Sequence, residues 1–86
     1  MRTEVIRTEV QRLLREVPFR PFTLTLESGE RVPIEHPENI AFDPATNGSG
    51  GSTDFYVVAG RLRLFSTFGA VASIVLREPL PAEEQN

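Results

Sequence analysis

The amino-acid sequence predicts an α+β fold in which an N-terminal amphipathic helix is followed by a five- or six-stranded, strongly bent antiparallel sheet. Three observations predict this fold class. Apolar residues recur at helical spacing before Pro18, they alternate with polar residues after Pro21, and glycine or proline interrupts the chain every few residues beyond that point. A chain of 86 residues has room for one small core, so we expect a single domain.

The N-terminal segment has the pattern of a helix with one apolar face. Its apolar residues fall at i, i+4, i+7, i+8 and i+11, at Ile6, Val10, Leu13, Leu14 and Val17. Thr3 can cap the helix, and Pro18 forbids its continuation. Residues of opposite charge three or four apart predict ion pairs on the polar face: Glu4 with Arg7, Glu9 with Arg12, and Arg12 with Glu16.

The next segment has the pattern of a hairpin. Phe22, Leu24 and Leu26 alternate with polar residues, and Ser28-Gly29 supplies a two-residue loop. The returning strand alternates through Val32, Ile34 and His36, which share the inward parity, and Pro37 ends it. Proline cannot donate to a ladder, so Pro33 confines this strand to an edge or to a position whose N–H is unpaired.

Four further segments complete the sheet. Ile40 and Phe42 mark a short third strand, and Gly60 makes a tight turn between the fourth strand, Asp54–Ala59, and the fifth, Arg61–Phe65. The stretch STFGAVASIVLRE fits either one long strand or a helical turn from Thr67 followed by a strand at Ser73–Arg77, and we favour the turn and strand.

Composition also sets the boundaries of the domain. Gly48–Ser52 reads GSGGS, which is typical of a flexible linker, natural or engineered. Its loop lacks the lysine of a phosphate-binding loop and precedes a strand rather than a helix. We predict one domain over residues 1–78 and a disordered tail over 79–86. The domain has a helix over 3–17 and a β-rich part over 22–77, which contains a flexible loop at 43–53.

Several classes of chemistry are excluded or disfavoured. The chain has no cysteine and one histidine, which argues against disulfides, thiolate metal sites and any cofactor held by such ligands. No lysine is present, so Schiff-base chemistry is excluded. No segment resembles a secretion signal or a membrane span, and we therefore expect a cytoplasmic protein that does not bind membranes.

Charge is unevenly distributed along the chain. Residues 1–20 contain five arginines and three glutamates, whereas the remainder contains four arginines and nine acidic residues. A polyanion would therefore meet the helix rather than the sheet.

One stretch resembles a known family. VPFRPFTLTLESGERVPIEHPE is similar to a family of small bacterial proteins, common in planctomycete-type genomes, with a PFRPF, strand, SG or DG turn, strand, HPE pattern. The later FYVVAGRLRLFSTFGAVASIVLRE is similar to the closing hairpin of that family. The resemblance covers roughly residues 5–78, the glycine-rich loop is longer than in the family, and the resemblance implies no activity.

The predicted order of elements is also that of Sm-like and SH3-like small barrels. This is an analogy of fold and carries no function by itself. Exposed strand edges pair between subunits in Sm-like rings, and such pairing would also shield the strand that contains Pro33.

Seven residues are candidates for a binding surface: Arg20, Arg31, His36, Glu38, Tyr56, Arg61 and Arg63. Arg20 lies between Phe19 and Phe22, and we favour a role for both rings in the core, with Arg20 in solvent or paired with an acid. Arg61 and Arg63 share one face of their strand beside Tyr56 and Val58, a combination that would suit single-stranded RNA.

His36 is the candidate for catalysis. Glu35 or Glu38 could orient it as a general base, but a histidine before a proline at a strand end more often hydrogen-bonds the turn backbone. We therefore expect a non-enzymatic interaction module that binds a protein partner or itself through strand edges, without a cofactor, metal or small-molecule substrate. A weak Sm-like RNA-binding protein is the alternative, and an enzyme using His36 with Glu38 is the third hypothesis.

Overall fold

The N-terminal amphipathic segment forms helix α1, Arg2–Leu14, in the computed structural model, which describes residues 2–44 and 50–76. The apolar face of α1 enters the core, where Val10 and Leu13 are fully buried and Ile6 and Leu14 are partly buried. This burial stabilises the helix, because 13 residues alone are marginally helical in water. The helix is also too short and too polar to cross a membrane.

The helix ends three residues earlier than the apolar spacing predicts. Beyond Leu14 the chain makes one tighter turn, in which the Arg15 and Glu16 N–H groups donate to the carbonyls of Arg12 and Leu13 at 3.2 and 3.3 Å. Val17 is 95% exposed, so the prediction that it belongs to the buried face is wrong. The reason is Pro18, which disfavours helical dihedral angles in the residue before it.

Two of the three ion pairs predicted on the helix are present. Arg12 lies between Glu9 and Glu16, contacting the Glu16 carboxylate at 3.2 Å. Hydrogen bonds from Arg12 lower the pKa of Glu9 below its ordinary value. A lowered carboxyl pKa adds stability above the unfolded-state pKa, and that stability is lost as pH falls through the folded-state pKa.

The predicted pair of Glu4 with Arg7 does not form, because Arg7 is buried. Only 6% of Arg7 is exposed, and its Nη1 donates to the Ser52 carbonyl at 2.9 Å. Its Nε finds no hydrogen-bond partner among the described residues. Arg7 therefore holds the end of the glycine-rich loop against the helix instead of pairing with an acid.

Within the described residues, six strands follow the helix and form two three-stranded antiparallel sheets. Sheet A has the order β2-β1-β6 and sheet B the order β3-β4-β5. The strands are β1, Phe22–Leu26; β2, Arg31–Ile34; β3, Ile40–Ala41; β4, Asp54–Ala59; β5, Leu62–Thr67; and β6, Val71–Leu76.

Two 3-10 helices connect the sheets. Pro37–Asn39 lies between β2 and β3, and Phe68–Ala70 lies between β5 and β6. Thr67 is the N-cap of the second one, and its hydroxyl accepts a hydrogen bond from the Gly69 N–H. Helix α1 packs against this second 3-10 helix, so the helix covers the corner at which the chain passes from sheet B to sheet A.

The core lies between the helix and the inner faces of both sheets. Phe68 is fully buried, with its ring centroid 5.0 Å from that of Phe42 and 4.9 Å from that of Phe55. Phe22 is also buried and its ring lies 6.1 Å from that of Phe19. Both phenylalanines that flank Arg20 thus pack at the junction between the helix and the first strand.

The α+β prediction is confirmed, as is the preference for a turn and a strand after Thr67. The hydrogen-bonded ladders do not close into a barrel within the described residues.

The first hairpin loop has three residues, Glu27 to Gly29, and not the two that the sequence predicts. The Gly29 N–H donates to the Leu26 carbonyl at 2.8 Å, and Gly29 has a φ of 97°. A residue with positive φ is the usual third member of such a loop, and glycine adopts it without strain.

Strand boundaries differ from prediction by one or two residues. Phe42 follows β3 instead of belonging to it, Arg61 lies in the turn before β5, and β6 begins at Val71 instead of Ser73. Five of the eleven residues of the predicted flexible loop, residues 45–49, and the whole predicted tail, residues 79–86, lie outside the described residues.

Phe55 and Phe65 offer a direct test of this division between core and surface. Phe55 is 1% exposed, so Phe55→Ala should lower the free energy of unfolding by about 3–5 kcal/mol, measured by urea denaturation. Phe65→Ala is the matched control on the adjacent strand, and we expect a loss below about 1 kcal/mol. Equal losses for the two variants would contradict the assignment of Phe65 to the surface.

Candidate interaction surface

The outer face of sheet B carries a cluster of exposed aromatic and aliphatic side chains. The ladder places Tyr56 opposite Phe65 and Val58 opposite Arg63. The Tyr56 and Phe65 rings lie 6.4 Å apart, and 42% of Tyr56 and 69% of Phe65 is exposed. We call these four residues the aromatic face.

The two-residue period of the strands forces these side chains outward. Phe55 and Val57 on β4 fill the core, so their neighbours Tyr56 and Val58 must point to the other side of the sheet. A small domain has little apolar area to spare, and a contiguous exposed patch of this kind is typical of an interaction site.

Arg63 completes the aromatic face and is held near the turn. Its Nη1 donates to the carbonyls of Gly60 and Leu62 at 3.2 and 3.4 Å. Arg61 is exposed in the turn and lies outside the strand, so the prediction that both arginines share a strand face is wrong. Gly60 has a φ of 61°, and this turn takes Arg61 out of the ladder.

The hydrogen bonds of β5 leave one edge of sheet B open. The Phe68 N–H donates to the Thr53 carbonyl at 2.8 Å, which identifies the hydrogen-bonded positions of the β4–β5 ladder. Because these positions alternate, the backbone groups of Arg63, Phe65 and Thr67 point away from β4. β5 pairs with β4 alone among the described strands, so these groups face the free edge.

In contrast to β5, the β2 edge of sheet A is protected against the addition of another strand, and we call it the guarded edge. The Leu26 N–H donates to the Glu30 carbonyl at 2.8 Å, so by the same alternation Arg31, Pro33 and Glu35 direct their backbone groups to the free edge. Pro33 has no N–H to offer, and the Glu35 N–H already donates to Asn39 Oδ1 at 3.1 Å. Such features discourage the addition of another strand.

Asn39 organises the turn that contains His36 and Glu38. Its Oδ1 also accepts from the His36 N–H at 2.8 Å, and its Nδ2 donates to the Val58 carbonyl at 3.0 Å. His36 itself is exposed and lies beyond the end of β2, so its predicted inward position is wrong. The strand stops at Ile34 because the Asn39 side chain and Pro37 impose a 3-10 turn there.

The remaining predicted residues are distributed over other surfaces. Arg20 pairs with Glu16 at 3.3 Å at the end of the helix. Arg31 lines a shallow concavity of about 520 Å³ on the outer face of sheet A, together with Thr23, Pro33, Glu35 and Val75. Of the seven candidates, Tyr56 and Arg63 belong to the aromatic face and Arg61 lies in the adjoining turn.

Phe65 is the residue that the sequence reasoning missed. In RLRLF, Phe65 has the same parity as Arg63, and that parity was a usable signal for an outward position. Phe65 is not among the seven predicted residues, and four other phenylalanines lie on the inner side of the fold, where Phe22, Phe55 and Phe68 are buried and Phe42 is partly buried.

The described part of the chain offers no cluster of metal-binding side chains. Across residues 2–44 and 50–76, no three histidine or acidic side chains are placed to hold a metal ion. Comparison with protein-family models, curated proteins and solved structures finds no significant match to this chain. The assignment of function therefore rests on the aromatic face and the edges of the two sheets.

The capping of the Glu35 and His36 N–H groups by the Asn39 side chain can be tested by its effect on stability. Asn39→Ala removes the acceptor for two backbone N–H groups and should lower the free energy of unfolding by about 1 kcal/mol in urea denaturation. Asn39→Asp keeps that acceptor and loses only the donor to Val58, so it should be less destabilising at neutral pH. If Asn39→Asp is as destabilising as Asn39→Ala, the contact with Val58 is the important one and the proposed capping role is wrong.

Proposed function

We propose that this protein is a non-enzymatic interaction module that associates with itself through the β5 edge and the aromatic face beside it. The observation that carries the proposal is the exposure of Phe65, at 69%, on a strand whose outward backbone groups have no neighbouring strand among the described residues. Main-chain hydrogen bonds supply affinity when a strand is added to an edge, and a buried aromatic supplies the anchor.

The contrast between edges supports this choice. β2 is guarded by Pro33 and Asn39, and β3 has only two residues. β5 has six residues, no proline, and its outward backbone groups are not capped by side chains of the described residues. Natural proteins blunt the edges that must not pair. The β5 and β6 edges both lack such protection, and β5 is the better candidate for an interface because it also carries the exposed Phe65.

The order of elements supports an analogy with Sm-like and SH3-like small barrels. This chain has one helix followed by six short antiparallel strands among the described residues, which is the order of elements on which the analogy rests. In Sm-like rings strand edges pair between subunits, which agrees with self-association. Composition and the resemblance to the PFRPF family further suggest a cytoplasmic bacterial protein.

An enzyme that uses His36 with Glu38 has the least support. Both side chains are exposed on a turn, and neither lines the concavity on sheet A. General acid–base catalysis needs a site that positions the substrate against the base.

A weak interaction with single-stranded RNA is the second candidate, and one observation favours it. Tyr56 and Phe65 are adjacent and exposed, with Arg63 on the same face and Arg61 in the adjoining turn. Aromatic rings stack on bases and arginines neutralise phosphates. The acidic balance of the chain outside its first 20 residues opposes this candidate.

Self-association can be tested by size-exclusion chromatography with light scattering. We expect the wild-type chain to have a mass of at least twice 9.6 kDa, and Phe65→Ser to shift the population towards the monomer. Val5→Ser is the control, because Val5 is an exposed aliphatic residue on α1, away from sheet B. A monomeric wild-type protein, or equal effects of both substitutions, would contradict the proposal.

RNA binding can be tested by fluorescence anisotropy with a labelled oligouridylate at low and high salt. If the aromatic face binds RNA, Arg61→Ala/Arg63→Ala should weaken binding and reduce its salt dependence, because fewer phosphate contacts release fewer counterions. Arg31→Ala on sheet A is the control. We expect no measurable binding of the wild-type chain; salt-dependent binding lost only in the double variant would replace self-association with RNA binding as the function.

A further inference from the structure

We propose that the partner of the β5 edge is a second copy of this chain, related by a twofold axis that passes beside Phe65. The two β5 strands then pair antiparallel, with Phe65 opposite Phe65 of the second copy and Arg63 opposite its Thr67. The inference rests on the proposed self-association and adds its symmetry, register and contacts. Sheet B would become one continuous six-stranded sheet across the dimer.

The register follows from which residues of β5 face the edge. Arg63, Phe65 and Thr67 all direct backbone groups outward, so an axis at the middle residue pairs all three within the strand. An axis at Arg63 would place two arginines directly opposite each other, which is unfavourable. An axis at Leu64 would require Arg61, which lies in the turn outside β5.

The side chains on the outer face match in this register. Tyr56 already contacts Phe65 within one copy, so the dimer would contain a strip of four rings, Tyr56 and Phe65 from each copy. Neighbouring aromatic residues across strands stabilise a sheet, and the exposed area of Phe65 would be removed from water.

Charge complementarity supports the same arrangement. Arg63 would lie beside Thr67 of the second copy, and Thr67 is paired with Asp54 on β4. Two strand spacings separate Arg63 from that Asp54, about 10 Å between Cα atoms, which an extended arginine can bridge. In the dimer the Arg63 guanidinium would exchange its bonds to the Gly60 and Leu62 carbonyls for this carboxylate. Within one copy the ladder places Arg63 opposite Val58 and Asp54 opposite Thr67, so these two residues are not cross-strand neighbours. The twofold axis makes the contact twice.

The other open edge in sheet A allows a different assembly. On β6, the alternation along β1 directs the backbone groups of Ile74 outward. Pairing β5 of one copy with β6 of the next is head to tail and generates a ring or a filament. It does not bring Arg63 to Asp54.

Charge reversal distinguishes these arrangements. We expect Arg63→Asp and Asp54→Arg each to raise the dimer dissociation constant by about tenfold, measured by analytical ultracentrifugation. Each substitution turns both attractive contacts between residues 63 and 54 of the two copies into repulsive ones. The double variant Arg63→Asp/Asp54→Arg should return the constant to within about threefold of the wild-type value, since the pairs are restored with opposite polarity. Arg31→Asp, which replaces an exposed arginine on sheet A, is the control and should leave the constant unchanged.

A cross-linking experiment tests the register independently, because the chain has no cysteine of its own. Phe65→Cys loses the aromatic anchor, so it is oxidised at high protein concentration, where the main-chain pairing of β5 still brings the introduced thiol to its symmetry mate across the axis and a disulfide-linked dimer should form. Val58→Cys, one strand further from the axis, is the control and should form no such dimer. Equal cross-linking of the two variants would contradict the register.

The outcomes separate the two levels of the proposal. A wild-type dimer with rescue by the double variant supports the twofold arrangement. A larger assembly, or a dimer in which the double variant is as weak as the single ones, overturns the twofold register but leaves self-association standing. A wild-type monomer overturns both.

Discussion

The packing of Phe68 is the interaction on which the rest of this structure depends. Phe68 lies in the 3-10 helix that joins β5 of sheet B to β6 of sheet A, and its buried ring contacts Phe42 and Phe55. Helix α1 packs on the same segment, and this segment joins the last strand of sheet B to the last strand of sheet A, so the helix and both sheets meet at this corner. In a chain of 86 residues few apolar side chains are available, and a shared contact of this kind lets two small sheets behave as one domain.

The surface follows from that core. Once Phe55 and Val57 point towards Phe68, the pleat of β4 sends Tyr56 and Val58 outward, and the ladder brings Phe65 beside Tyr56. The aromatic face is thus a geometric consequence of the core combined with the choice of residues at the outward positions. A threonine or a glutamate would serve a purely solvated face equally well, and this is why a phenylalanine and a tyrosine there favour a binding role.

Local patterns predicted the elements well, and long-range contacts decided what the patterns could not. Pro33 predicted an edge strand, Gly60 predicted a tight turn, and Thr67 predicted a helical turn before the last strand. These predictions are correct because each residue acts on its immediate neighbours in the chain. The apolar spacing could not exclude Val17, since the effect of Pro18 on the preceding residue outweighed periodicity. Arg7 is buried because Ser52, 45 positions away, receives its hydrogen bond, and no local pattern contains that partner. At the candidate site the sequence identified Tyr56 and Arg63 by residue type but did not identify Phe65, although Phe65 has the same strand parity as Arg63.

The guarded edge at β2 limits how this protein can polymerise. A domain built from two small sheets has several edge strands, and each unprotected edge is a further site at which another copy could add to form a fibre. Pro33 withholds one donor at β2 and Asn39 occupies another, so growth by strand addition at this end is blocked without any covering element. The blockade is made by Pro33 and by the Asn39 side chain, and it uses none of the side chains of the aromatic face. A solution at high concentration is thereby protected from runaway fibre growth through β2.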